Sequence, residues 1–227
     1  MKVILTGTTG FIGSEVLAQC RQNPAITSII ALSRRPLAAD ITADPKVQTV
    51  LMKDFKKYPD ALVQQLAGAD ACIWCMGTTA AIPELEIDYP LAFVRAFAPT
   101  ISARQSPTPF RYLHLSGALV EQDQAKPLWF LSQRRKTKGR AESALLAFAQ
   151  EAAHNGRWET NIVKPEMVMQ KTGDVFKRSL SAVGVFDSVV VGELAAAMID
   201  IVRRGSEEKV TLNAELVRRG RAVLEGE

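Results

Sequence analysis

Gly7, Gly10 and Gly13 follow one another at intervals of three residues, directly after the apolar run Lys2-Val-Ile-Leu-Thr6 and before a helical stretch from Ser14 to Arg21. A strand, a glycine-spaced turn and a helix start form a device for holding a diphosphate. Backbone without Cβ atoms can turn tightly and approach the anion, while free N–H groups and the positive end of the helix dipole face it. The turn Gly7-Thr8-Thr9-Gly10-Phe11-Ile12-Gly13 is therefore expected to bind a nucleotide, with Gly7, Thr9, Gly10, Phe11, Ile12 and Gly13 as its contacts. The next apolar run ends in Ser33-Arg34-Arg35-Pro36, where an NAD site commonly places an acid on the ribose hydroxyls. Two guanidinium groups suit a 2′-phosphate, so Arg34 and Arg35 point to NADP (NADPH) as the cofactor.

The elements that must position these residues alternate along the chain. The pattern predicts strands at 2–6, 28–33, 47–51, 71–76, 111–116 and 159–164, and a last strand over Lys209 to Leu212. Helices are predicted at 10–21, 59–67, 88–104, 138–154 and 193–204. Such alternation implies an α/β fold with a doubly wound parallel sheet, a Rossmann fold of strand order 3-2-1-4-5-6. One domain over residues 1–227 is expected, with a short substrate-side segment near 166–190. Ligands of such sheets lie at the carboxyl ends of the strands. There the sequence gathers Asp54-Phe55, Gly77-Thr78-Thr79, Ser116 and Lys164-Pro165, each of which also has a mundane reading as a cap or turn.

Composition narrows the classes. The 227 residues are 47% hydrophobic and 23% charged, enough for a sizeable core. No apolar run is long enough to span a bilayer and the first strand starts at Lys2, which together give a cytoplasmic default with no membrane partner. The net charge of +4 is concentrated in Arg134, Arg135, Lys136, Lys138 and Arg140; setting these aside leaves 23 of the 28 basic residues against 24 acidic ones. No nucleic-acid-binding module accompanies the cluster, so no nucleic acid is expected as a partner. Cys72-Ile-Trp-Cys75 matches a redox or metal spacing, yet residues three apart on a strand face opposite sides, so the pair reads as core; no metal constellation is apparent.

The order Thr6-Gly7-x-x-Gly10-x-x-Gly13, Ser33-Arg34-Arg35, Asp54-Phe55, Gly77-Thr78-Thr79, Leu115-Ser116 and Lys164-Pro165 resembles the atypical and extended short-chain dehydrogenase/reductases, in particular their small Tat-interacting-protein-like members. The resemblance spans nearly the whole chain. It implies that Asp54 contacts adenine, that the Gly77 loop lies along the cofactor, and that the segment after Pro165 borders nicotinamide and substrate. It also implies a catalytic serine at Ser116, a catalytic and ribose-holding lysine at Lys138, and homodimer contacts through helices such as 88–104, whose apolar residues exceed what one sheet face covers.

The family's tyrosine, one helical turn before the lysine, is Arg134 here. Tyr112 belongs to a strand, and Tyr58 and Tyr89 lie too far before the expected catalytic helix, so none replaces it. Arginine stays ionised at any relevant pH and cannot donate the proton, although it can stabilise a polarised carbonyl. Three readings follow. An oxidoreductase acting on a small hydrophobic carbonyl compound would take its proton from Lys138, His114 or a water held by Ser116. A non-redox isomerase or cyclase would use Ser116, Arg134 or Trp129 in the same pocket. An NADP-sensing binding protein would show no turnover. His114 shares the face of Ser116 and also reads as a hydrogen-bonded structural residue. Trp129-Phe130-Leu131, Met167-Val-Met169 and Val183 to Phe186 form either an apolar lid or core.

Overall fold

A computed structural model describes residues 1–102, 104, 106–151, 156–170 and 187–226. Strands β1 (Lys2–Thr6), β2 (Ser28–Ser33), β3 (Val47–Leu51), β4 (Ala71–Trp74), β5 (Phe110–Leu115) and β6 (Trp158–Lys164) fall where the apolar runs predicted. They are paired in parallel in the order 3-2-1-4-5-6, and a further strand β9 (Val210–Leu212) extends the sheet beside β6. Two short strands, β7 (Met167–Met169) and β8 (Ser188–Val190), make a separate parallel pair in the segment expected to face substrate.

Strand residues alternate between two apolar layers, which is why the runs are continuous in sequence: both faces are covered. Val3, Leu5, Ala31, Ile73 and Val163 pack with helix α1 (Phe11–Gln22) and helix α6 (Val191–Arg204). Ile4, Cys72, Trp74, Tyr112 and Trp158 pack on the other side with helix α4 (Tyr89–Phe97) and helix α5 (Ser132–Gln150). Short helices α2 (Ala39–Thr42) and α3 (Asp60–Leu66) lie between strands, and helix α7 (Asn213–Glu225) closes the described chain. Cys72 and Cys75 are free and join opposite layers, as their spacing required; burial pushes both thiols up. No helix of the described residues is long and apolar enough to cross a membrane.

Two of the predicted helices are corrected and one helix is added. The helix predicted over 88–104 is three pieces: a π-helical turn at Glu84–Asp88, α4, and a 3-10 turn at Ala98–Ile101. Pro90 has no N–H to offer Glu86, and the Tyr89 N–H reaches five residues back to Glu84, widening the helix before the proline. On the inner face of α4, Phe93 packs among Trp74, Phe97 and Tyr112, with ring centroids 5.5–5.9 Å apart. Helix α5 starts at Ser132 rather than 138, which places Arg134 and Lys138 on successive turns of one helix; residues 152–154 lie outside the described residues. Helix α7 went unforeseen: its sequence is dominated by charge, and only Asn213, Leu216 and Gly220 are buried.

Candidate functional site

The glycine turn leaves β1 at Gly7, whose φ of 70° favours glycine; a Cβ there would lie 2.6 Å from the carbonyl carbon of Cys75. A Cβ at Gly13 would run into the Gly7 carbonyl oxygen, so helix and turn meet only because both residues lack side chains. Gly10 donates its N–H to that same oxygen at 2.9 Å and caps α1, whose first turn has neither a side-chain cap nor an acid. The Thr8 hydroxyl is buried with no partner among the described residues. An unused donor beside uncapped amides fits an anion's oxygens.

A narrow cleft beside this turn is lined by Thr9, Ser33, Arg34, Arg35, Phe55 and Met76, with no carboxylate among its lining residues. Arg35 donates from Nη2 to the Thr9 hydroxyl at 3.4 Å, and Ser33 donates to the Arg35 carbonyl at 2.7 Å, which ties the end of β2 to the glycine turn. Arg34 is exposed. Asp54 lies apart from the cleft lining; its Oδ1 accepts the Lys56 N–H at 2.9 Å, and Lys57 stands 3.7 Å away. Phe55 is buried, stacked on Tyr89 at 5.7 Å.

The opposite side of the strand ends holds a cavity of about 400 Å³. Thr79, Gly117, Arg134, Lys138 and Pro165 line it, so residues expected to act together do meet, with Gly117 rather than its neighbour Ser116 in the wall. Two buried carboxylates organise this region. Glu142 accepts the Ser116 hydroxyl proton at 2.5 Å on Oε1, and the Gln122 amide at 2.7 Å and the Lys164 ammonium at 3.3 Å on Oε2. Glu86 accepts the Thr78 N–H at 2.6 Å on Oε1 and the Lys138 ammonium at 2.8 Å on Oε2, and a Cβ on Gly77 would press on its carboxylate. The Ser116 hydroxyl thus presents its lone pairs elsewhere, its proton being committed to Glu142.

Neither carboxylate figured as a site residue in the sequence. Glu142 carried a signal, because a charge between Ala141 and Leu145 interrupts the buried stripe of α5. Glu86 carried none, since the π-helical turn that turns it inward depends on Pro90 four residues on.

His114 is removed from the list of proton donors. It is buried, its Nδ1 3.4 Å from the Tyr112 hydroxyl, and its pKa is lowered to about 3, first by burial and then by the charge of Lys138. A neutral native histidine makes the fold lose stability in acid: between pH 6.5 and 3 the unfolded chain binds a proton that the native chain refuses, so stability is full above 6.5 and declines as pH falls. From pH 7 to 4.5 this histidine should cost about 2–3 kcal/mol. Urea unfolding at the two pH values should show that part of the loss absent in His114→Phe; an unchanged loss would mean that His114 is protonated in the native state.

Trp129 is 93% exposed and therefore not core, while Phe130 lies under the Arg135 guanidinium at 4.8 Å. Val183 to Phe186 lie outside the described residues.

No family profile matches the chain. Among curated proteins it is 26% identical to a protein called fmp52, mitochondrial, from Emericella nidulans, over 99% of this chain and 89% of the relative. It is 29% identical to FMP52, mitochondrial, from Meyerozyma guilliermondii over 66% of this chain and 73% of that one. Among solved structures, a short-chain type dehydrogenase/reductase from Mycobacterium ulcerans superposes with a TM-score of 0.68 at 12% identity, covering 100% of this chain and 98% of that one. Alfalfa vestitone reductase gives 0.66 at 18% over 93% and 76%, and Candida albicans Gre2, solved with NADPH, 0.66 at 15% over 94% and 78%. The fold is that of the short-chain dehydrogenase/reductases, as the motif order implied. The cytoplasmic default is overturned by the relatives' names, which place those proteins in mitochondria.

Proposed function

We propose that this chain is an NADP-binding protein of the short-chain dehydrogenase/reductase type that reduces the carbonyl of a small hydrophobic compound. The observation that carries the reading is the glycine turn, closed to any Cβ at Gly7 and Gly13 and flanked by a cleft with two arginines and no carboxylate. Gre2 in complex with NADPH and a dTDP-glucose 4,6-dehydratase with NAD, both of this fold, support a dinucleotide there, and the relatives' names support a mitochondrial setting.

In this reading Gly7, Thr9, Gly10, Phe11, Ile12 and Gly13 hold the diphosphate, Arg34 and Arg35 the 2′-phosphate, Asp54 and Phe55 the adenine side, and Gly77, Thr78 and Pro165 the nicotinamide side. Bound NADPH would supply the hydride. Lys138 lines the cavity and keeps two N–H bonds beyond the one given to Glu86, enough for a ribose hydroxyl and a substrate oxygen. We assign the proton of carbonyl reduction to this ammonium, because His114 is neutral and enclosed and the Ser116 proton faces Glu142. Ser116 acts as an acceptor that positions a water or substrate hydroxyl. Arg134 in place of tyrosine favours one alternative, a non-redox isomerisation or cyclisation, which turnover without loss of NADPH absorbance would identify.

Calorimetric titration with NADPH tests the shared premise. Wild type should bind and folded Gly13→Ala should lose at least about 100-fold in affinity, since the new methyl forces the turn away from the helix start. Absence of NADPH binding to wild type overturns the proposal; binding without any product, whatever carbonyl is offered, leaves only a sensor of the nucleotide.

A further inference from the structure

We infer that the 400 Å³ cavity takes an apolar substrate that ends in a carboxylate, held by Arg134 at the position where the fold family keeps its tyrosine; the inference deepens the reading above and rests on it for the reaction, though not for the binding.

The walls supply the apolar part. Ala118, Leu119, Val120, Leu131 and Met167 face the cavity, and Leu119 and Leu131 remain 42% and 51% exposed, so they leave water only when something fills it. The charges supply the rest. Three cations line the space, and two have other work. Lys138 is paired with Glu86, while Arg135 donates from Nε to the Leu119 carbonyl at 2.6 Å and lays its face on Phe130. The Arg134 side chain, alone of the three, has no hydrogen bond or ion pair among the described residues. The single carboxylate in the lining, Glu166, accepts the Asp187 N–H at 2.8 Å. A planar fork of donors among apolar walls, in a lining that carries three cations against the single exposed carboxylate of Glu166, matches a carboxylate better than a hydroxyl or an amine.

The same geometry explains why an arginine can stand at this position without a proton to give. A substrate anchored by its acid end on Arg134 has its body directed along Val120 and Met167, and Lys138, one turn further along α5, reaches a carbonyl placed on that body. Arg134 is thus a substrate-binding residue that sets which carbonyl compounds enter.

Octanoate and 1-octanol, equal in length and different only in the end group, are the probes. Titrated into the protein with and without NADPH, octanoate should bind about tenfold or more tighter than the alcohol, less so as salt rises. R134Q should abolish the preference, R134K should restore part of it, and R140Q, on the same helix but outside the cavity lining, should retain it. Equal binding of both probes, no octanoate binding in either state, or an undiminished preference in folded R134Q would overturn the inference. NADPH bound with octanoate ignored sinks the carboxylate site alone; octanoate bound through Arg134 with NADPH ignored sinks the reductase and leaves the site.

Discussion

Glu142→Ala should lower the thermal midpoint by roughly 6–20 °C. The carboxylate is fully buried and is the shared acceptor for Ser116, Gln122 and Lys164, and the Lys164 side chain is only 11% exposed. Removing one partner of a buried pair leaves the other charge without compensation, at about 3–5 kcal/mol, and a domain of this size shifts by roughly 2–4 °C per kcal/mol. The expected size comes from the stranded ammonium more than from lost attraction. The paired change Glu142→Leu with Lys164→Met should therefore recover most of the midpoint. Calorimetry on the single and double variants decides it: a single variant within about 2 °C of wild type would show that water reaches Lys164 and the network is not structural.

Arg34→Ala with Arg35→Ala should weaken NADPH by about 100-fold and NADH by less than about threefold, read by titration of each nucleotide. Each guanidinium contact to a 2′-phosphate is a charge-assisted hydrogen bond of roughly 1.5–3 kcal/mol, and both arginines are exposed enough for the lower figure to apply. Arg35 is held toward the glycine turn by Thr9, so it meets the nucleotide already oriented. Equal losses for the two nucleotides would remove the NADP assignment and leave the arginines a general role near the diphosphate.

Much of this was legible because strands buried on both faces write themselves as unbroken apolar runs. β1, β2 and β3 match the expected limits residue for residue, and the glycine turn follows from spacing alone. Legibility ended where tertiary packing overrides local pattern. The first turn of α5, Ser132-Gln-Arg-Arg, has no apolar residue to mark it, and its entry through Leu131 uses a left-handed conformation at φ 48° that sequence does not forecast for leucine. Tryptophan ordinarily signals burial; Trp74, within a predicted strand, and Trp158, beside one, are enclosed, whereas Trp129, outside every predicted element, is exposed. At the candidate site, the family resemblance pointed to Ser116, Arg134 and Lys138, whereas the carboxylates paired with Ser116 and Lys138, Glu142 and Glu86, needed the packed helices to be seen.

The strand order also divides the molecule in time. β1 finds both its neighbours, β2 and β4, within the first 74 residues, so the nucleotide half can close while the rest of the chain is still being made. The outer edge of β6 is different: it is covered by Val210–Leu212, which follow it only after a long intervening stretch of chain. A ribosome delivering this chain therefore brings out the glycine turn and both neighbours of β1 well before β6 gains its outer partner, and until then β6 offers an open edge on which a neighbouring nascent chain could pair.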